Sequence, residues 1–148
     1  MRADMYYPLR ITKQGPDLYH LTCRDLPGCV IEENSFEKIL AASPQIFRTC
    51  MELHYRRQKR VIPMPSELQE EETPLYVPLR IQAKILLWNH IASRGLKITE
   101  VAQMLGLSRD QVRRLVDLSE SRANLEAIEN ALVALNAHFT MRTDGDPL

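Results

Sequence analysis

The sequence predicts an α+β protein, with an N-terminal antiparallel sheet of three to four strands and one helix, followed by an all-helical C-terminal half. Three observations support this prediction. Apolar and polar residues alternate over much of the first thirty positions, which is typical of half-buried strands. Apolar residues recur at helical spacing between Phe36 and Arg57, and again from Ile81 onward. A stretch rich in proline and glutamate separates the two halves.

The first strand is predicted around Tyr7, Leu9 and Ile11, which share one face. Turn residues at 14–17 separate it from a second strand at 19–23. A second turn at 25–28 precedes a third strand at 29–31.

The helix of the N-terminal half is predicted to begin after a cap at Asn34 or Ser35. Pro44 interrupts it, because proline lacks the N–H that the carbonyl of Leu40 would accept from. Since the apolar register continues past Pro44, one kinked helix is favoured over two separate helices. Val61 and Ile62 are the candidate for a fourth strand.

The acidic and proline-rich stretch predicts a solvated linker between two domains. The expected boundaries are residues 1–65 for the sheet domain, 66–74 for the linker and 75–148 for the helical domain.

Residues 98–115 have the pattern of a helix-turn-helix. Ala102 lets two helices approach closely, Gly106 allows a positive φ at the turn, and Ser108 is suited to cap the second helix. The competing interpretation is a helical hairpin with a purely structural role.

The second helix of this pattern carries polar residues suited to DNA. Arginine and glutamine pair with guanine and adenine edges in the major groove. Gln111 and Arg113 are the expected base readers, and Arg109 and Arg114 are expected nearer the phosphates. The complete predicted DNA-binding set is Thr99, Ser108, Arg109, Gln111, Arg113 and Arg114.

A repressor-type helix-turn-helix usually reads two half-sites as a two-fold dimer, so a homodimer or higher homo-oligomer through the C-terminal domain is expected. Trp88, the single tryptophan, has two open interpretations: core packing or a dimer interface.

The composition restricts the other classes of function. Among the 148 residues, nineteen basic side chains balance nineteen acidic ones, so any DNA binding must come from a local patch. No apolar run approaches a membrane span and no secretory signal is evident, which predicts a cytoplasmic protein without membrane contact. Cys23, Cys29 and Cys50 lack metal-ligand spacing and are expected to be reduced.

No catalytic residue, metal site or cofactor is predicted. The four histidines are scattered singly, and the acidic residues near strand ends form no mid-strand cluster that would hold two metal ions. Asp25 is expected to cap the turn at Pro27. The basic run at 56–60 is interpreted as a solvated helix end, with contact to nucleic acid as the alternative.

Several motifs, in their order along the chain, resemble the HicB family of antitoxins from bacterial type II toxin–antitoxin modules. The run Cys23-Arg24-Asp25-Leu26-Pro27-Gly28-Cys29 is similar to the family's strand and Asp-Leu-Pro-Gly-Cys element. Asn34-Ser35-Phe36-Glu37 is close to the family's entry into its helix. Ile62-Pro63-Met64-Pro65-Ser66 and Val77-Pro78-Leu79 resemble the exit from that domain and the entry into a helical repressor-like domain.

The resemblance implies a partial ribonuclease-H-like fold for the N-terminal domain. It also implies that this domain covers a HicA-like toxin, a small ribonuclease that cleaves mRNA, and that the C-terminal domain represses its own operon by binding operator DNA. The expected toxin-binding residues are Asp25, Leu26, Pro27 and Glu32. The alternative is a one-component helix-turn-helix regulator whose N-terminal domain senses a ligand. A short basic gene beside this one would favour the antitoxin.

Overall fold

In the part of the chain that the structure describes, a four-stranded antiparallel sheet and five α-helices form, as the α+β prediction required. The structure, a computed structural model, describes residues 5–145, and the outer ends of the two predicted domains lie outside this range. The strands are β1 (Tyr6–Gly15), β2 (Leu18–Cys23), β3 (Val30–Glu33) and β4 (Thr73–Tyr76). The helices are α1 (Phe36–Met51), α2 (Leu79–Ser93), α3 (Ile98–Leu105), α4 (Arg109–Val116) and α5 (Leu125–Ala134).

The first three strands lie where the alternation predicts them. Ile11 pairs with Leu21, which pairs with Ile31, so one row of apolar side chains crosses three strands. Helix α1 packs against this face. The hydroxyl of Ser35 accepts the N–H of Lys38 at 3.1 Å, which confirms one of the two predicted caps.

Helix α1 continues through Pro44 as one helix. The Leu40 carbonyl loses the N–H that proline lacks, but the hydroxyl of Ser43 donates to it at 2.8 Å. A π-helical turn, Glu52–Arg56, follows the helix directly. Turns of this type often lie at functional positions.

The fourth strand is not where the sequence analysis placed it. Val61 and Ile62 form no strand, and the main chain of Ile62 bonds instead to the side chain of Asn89. The strand that completes the sheet is β4, which pairs with the free edge of β1 and sets Leu75 opposite Tyr7. Since β4 contains Thr73 and Pro74, the sheet includes the last residues of the predicted linker.

The acidic segment before β4 is exposed at residues 67–71, as a solvated linker would be, but both of its ends are bound to the sheet domain. The Glu72 side chain is 2% exposed and accepts from Arg24 Nε at 3.0 Å. Asp25 accepts from the main-chain N–H of Ser66 at 2.9 Å and from its hydroxyl at 2.8 Å. The expectation that Asp25 caps the turn at Pro27 is therefore wrong, because both carboxylate oxygens bond to Ser66.

The buried apolar side chains of both halves form one contiguous cluster. Trp88 is 3% exposed in this core and donates its indole N–H to the carbonyl of Arg60 at 2.8 Å. Core packing is thus the correct interpretation of Trp88. Among residues 5–145, no helix is long and apolar enough to cross a bilayer.

Cys29 and Cys50 are joined by a disulfide, with their Cα atoms 5.8 Å apart. The expectation that all three cysteines are reduced is therefore wrong for this pair. The bond connects the residue before β3 to the last turn of α1. Strand β3 and helix α1 pack against each other. Cys23 remains a buried thiol, and burial is the main reason that its pKa is raised.

Breaking this disulfide should lower the free energy of unfolding by about 3 kcal/mol, because the bond restricts the unfolded chain over a sequence separation of 21 residues. Denaturant unfolding with and without reductant measures the effect. The double variant Cys29→Ser/Cys50→Ser is the control and should not respond to reductant. Identical wild-type midpoints in both conditions would contradict this prediction.

Candidate functional site

Helices α3 and α4 are joined by a tight turn with the geometry that the sequence predicted. Gly106 has φ of +67°, a value that residues with a Cβ rarely adopt. The N–H of Leu107 donates to the carbonyl of Ala102 at 3.0 Å, which satisfies the end of α3. The positive φ predicted for Gly106 at this turn is confirmed, and the role predicted for Ala102 stays a prediction.

Ser108 caps α4 and shares a reciprocal pair of hydrogen bonds with Gln111. The Ser108 hydroxyl accepts the N–H of Gln111 at 3.1 Å, and Gln111 Oε1 accepts the N–H of Ser108 at 2.8 Å. This is a capping box, and it holds the Gln111 side chain against the start of its own helix. With this bond kept, Oε1 of Gln111 still has a second lone pair and the amide nitrogen can still donate.

The outer face of α4 is polar and exposed, and its inner face is apolar and buried. Val112, Leu115 and Val116 are buried against the core. Arg109, Gln111, Arg113 and Arg114 are exposed, as are Thr99 and Ser108. Arg113 forms an ion pair with Asp110 at 3.1 Å. Among the described residues, no carboxylate lies within ion-pair distance of Arg109 or Arg114, so their charges are available to an anionic partner.

The chain that follows α4 is held by a lysine from α2. Lys84 is fully buried, and its ammonium donates to the main-chain carbonyls of Arg114 at 3.0 Å, Asp117 at 2.7 Å and Glu120 at 2.5 Å. Burial lowers the pKa of Lys84 to about 8, so the group is still mostly protonated at neutral pH.

A second buried charge, Glu52 of the π-helical turn, contacts the same segment. Its carboxylate accepts the main-chain N–H of Leu118 at 3.0 Å and also accepts from Arg56 and Arg57. Burial alone would raise the pKa of Glu52, but these three donors outweigh it and lower the pKa below its usual value. Since Arg56 is buried in this network, the interpretation of residues 56–60 as a solvated helix end is wrong for Arg56.

The sequence analysis did not identify Lys84 or Glu52. A signal for each was present. Lys84 is the one charged side chain within the apolar run from Ile81 to Trp88, and Glu52 lies four residues before Arg56 near the end of an amphipathic helix.

The four predicted toxin-binding residues lie in different environments. Leu26 is fully buried in the core, so it offers no surface to a partner, and its assignment as a contact residue is corrected. The carboxylate of Asp25 is hydrogen-bonded to Ser66 and so connects the turn to the segment before β4. Pro27 and Glu32 are exposed. Glu32 lies opposite His20 on the sheet face that α1 does not cover, because its neighbour Ile31 points into the core.

Acidic groups and a basic group, Arg10, lie at or beside this uncovered face of the sheet. Val30 and Glu32 of β3 lie at one edge and are exposed. Arg10 of β1 is within 4.0 Å of the carboxylates of both Glu71 and Glu72, whose segment passes beside the sheet. Within residues 5–145, no three histidine, cysteine or acidic side chains converge as a metal site would require.

Comparisons with known proteins show similarity to one family of antitoxins. A family model described as HicB_like antitoxin of bacterial toxin-antitoxin system matches residues 6–86, from β1 through β4 and into α2. The Antitoxin HicB of Pseudomonas fluorescens (strain Pf0-1) is 28% identical over 139 residues, which cover 93% of each chain. Antitoxin HicB 2 of Photorhabdus laumondii is 28% identical over 141 residues, 95% of this chain and 98% of that one. Antitoxin HicB of Escherichia coli (strain K12) is 23% identical over 137 residues, 93% of this chain and 98% of that one.

The pKa of Glu52 predicts a loss of stability in acid. Because its folded pKa lies below the value of 4.5 expected for the unfolded chain, the unfolded chain binds the proton first as the pH falls. The stabilisation by the carboxylate is therefore complete above about pH 5 and decreases as the pH drops through 4.5 toward the folded pKa. The free energies of unfolding of the wild type and Glu52→Gln should converge between pH 6 and pH 3 in denaturant titrations. A difference that stays constant over this range would contradict the prediction.

Proposed function

Because the chain belongs to the HicB_like antitoxin family of bacterial toxin–antitoxin systems, we propose that it binds and sterically inhibits a HicA-type toxin and represses its own operon. The sheet domain is the proposed toxin-binding part, and helix α4 is the proposed operator-reading element. An antitoxin of this family acts as the partner of a toxin, and its proposed role requires no catalysis, metal or cofactor.

The observation that carries the operator-binding proposal is the exposed face of α4. Within a chain of net charge zero, this eight-residue helix presents three arginines against one aspartate. The opposite face is buried, so the helix is firmly seated with its charged side outward. A positive patch of this kind on a short, capped helix after a tight turn is suited to the major groove.

The proposed roles of the α4 side chains follow from their contacts. Arg113 and Gln111 are the proposed base readers. Arg109 and Arg114, which lack a carboxylate partner among the described residues, are the proposed phosphate ligands together with Thr99 and Ser108. Arg113 would exchange Asp110 for a guanine edge on binding.

Operator reading by α4 is proposed to involve a homodimer or higher homo-oligomer formed through the C-terminal domain. Two copies of α4 would then reach successive major-groove faces, about 34 Å apart. Trp88 is excluded as the contact because it is buried in the core of its own chain. Val133 on α5 and Met104 on α3, both more than half exposed, are two of the apolar side chains available for this contact.

The toxin surface is proposed to include two exposed residues, Pro27 in the turn at 25–28 and Glu32 of β3. Asp25 of the same turn is hydrogen-bonded to Ser66. An RNA-cleaving toxin must itself be basic where it binds RNA, and the exposed carboxylate of Glu32 offers the opposite charge at the surface. Since such a toxin acts on mRNA, the proposal places the complex in the cytoplasm.

Replacing Arg113 tests whether α4 recognises the operator sequence. Arg113→Ala should weaken binding to the DNA upstream of the gene by roughly 1–3 kcal/mol and reduce discrimination against a scrambled duplex. Arg114→Ala should weaken both duplexes about equally and flatten the salt dependence. Fluorescence anisotropy at several salt concentrations measures both effects. Lys38→Ala, which removes an exposed charge on α1, is the control. Operator binding at the wild-type level by Arg109→Ala, Arg113→Ala and Arg114→Ala alike would exclude this face of α4.

Replacing Glu32 tests whether this residue belongs to the proposed toxin-binding surface. Glu32→Gln should slow association with the protein encoded by the adjacent reading frame several-fold at low salt, with a smaller effect at high salt, because peripheral charges steer encounter. Stopped-flow or surface-plasmon measurements give the rate constants. Glu37→Gln, an exposed carboxylate in the first turn of α1, is the matched control. Equal rates for the wild type and Glu32→Gln at all salt concentrations would remove Glu32 from the interface.

A further inference from the structure

The seven-residue segment 114–120, at the end of α4 and just beyond it, is held by charges that lie outside the α3–α4 pair. Lys84 of α2 donates to three of its carbonyls, and Glu52 of the π-helical turn accepts one of its N–H groups. Arg57 adds a longer contact with Asp117, at 3.8 Å. One cation and one anion thus act on the same short stretch of backbone.

These contacts do not depend on the side chains of the segment. Lys84 and Glu52 bond to main-chain atoms, so they determine where the backbone lies. Carbonyls at the C-terminal end of a helix carry partial negative charge, and an ammonium is well suited to them. Together with the buried side chains of Val112, Leu115 and Val116, the contacts therefore restrict the position of the last turn of α4.

Stability alone gives a weak reason for burying two charges here. Both side chains are fully buried, and replacing a buried charge network by apolar groups is often neutral or stabilising. A requirement for one defined orientation gives a better reason, since recognition residues must be held within about 0.5 Å of their productive position. The side chains on the outer face of α4 move with its last turn.

We propose that Lys84 and Glu52 are positioning residues for operator recognition, which hold α4 in the orientation that sequence-specific DNA binding requires. The inference rests on the proposed operator binding by α4. It makes the sheet domain, through Glu52, part of the unit that reads DNA. Loss of either residue affects discrimination between sequences more than it affects non-specific attraction to DNA.

The test uses the full-length chain with Lys84→Met, Glu52→Gln and the control Lys38→Met. The control removes one positive charge from an exposed position, so it matches the change of net charge in Lys84→Met. Fluorescence anisotropy compares the DNA immediately upstream of the gene with a scrambled duplex of equal composition. Hydrogen exchange read by mass spectrometry follows the amides of residues 109–120 and, for comparison, those of β1 and β2.

In Lys84→Met we expect the ratio of upstream to scrambled affinity to fall at least tenfold, while binding to the scrambled duplex stays within twofold of Lys38→Met. Amides in residues 109–120 should exchange at least tenfold faster, and those of β1 and β2 should stay within twofold of the wild type. Glu52→Gln should change both readouts in the same direction by a smaller factor, and it carries the test if Lys84→Met does not fold.

Unchanged exchange in residues 109–120 overturns the positioning role whatever the DNA result. Faster exchange with an unchanged affinity ratio also overturns it. If the wild type itself does not distinguish the two duplexes, the operator proposal fails and the positioning role in recognition fails with it. Faster exchange in the variants would then still show that the two charges hold this segment, so the two failures are distinguishable.

Discussion

The arrangement of the two halves depends on the buried carboxylate of Glu52. A buried carboxylate is costly unless it is fully hydrogen-bonded, and Glu52 meets this condition with donors from both halves of the chain. Arg56 and Arg57 donate from the end of the sheet domain's helical segment, and the N–H of Leu118 donates from the loop after α4. Another position of the helical half would keep the two arginines but remove the bond from Leu118, so this bond favours one packing of the two halves.

Hydrogen bonds from distant side chains also hold residues 62–66, which lie between the two halves. The polar backbone atoms of this segment lie over apolar core, and side chains from elsewhere satisfy them. Asn89 bonds to both main-chain groups of Ile62, Tyr7 donates to the carbonyl of Pro63 at 2.6 Å, and Asp25 accepts from Ser66. The chain is guided in this way to the free edge of β1, where it adds β4 to the sheet.

This packing leaves two exposed surfaces that differ in charge. The open face of the sheet carries the exposed carboxylate of Glu32, while α4 presents Arg109, Arg113 and Arg114. A toxin that binds RNA and an operator duplex have opposite charges, so the two surfaces suit the two proposed partners without competition. One contiguous core beneath both surfaces gives each a rigid support, and it gives the proposed toxin-binding half a physical connection to the proposed DNA-binding helix.

Features that depend on residues close together in the sequence could be predicted without the structure. The strands from Tyr6 to Glu33, helix α1 and the turn at Gly106 follow from periodicity, capping and a positive φ, each of which involves residues a few positions apart. Family membership was also readable, because the Asp25–Cys29 motif and its neighbours keep their order along the chain. The tertiary structure alone decided the rest. The partner of Asp25 is 41 residues away, and Leu118, which donates to Glu52 from the other half of the chain, is 66 residues away. In both cases the partner includes a main-chain N–H, and every residue except proline carries one, so no pattern of side chains marks which of them a buried carboxylate will meet.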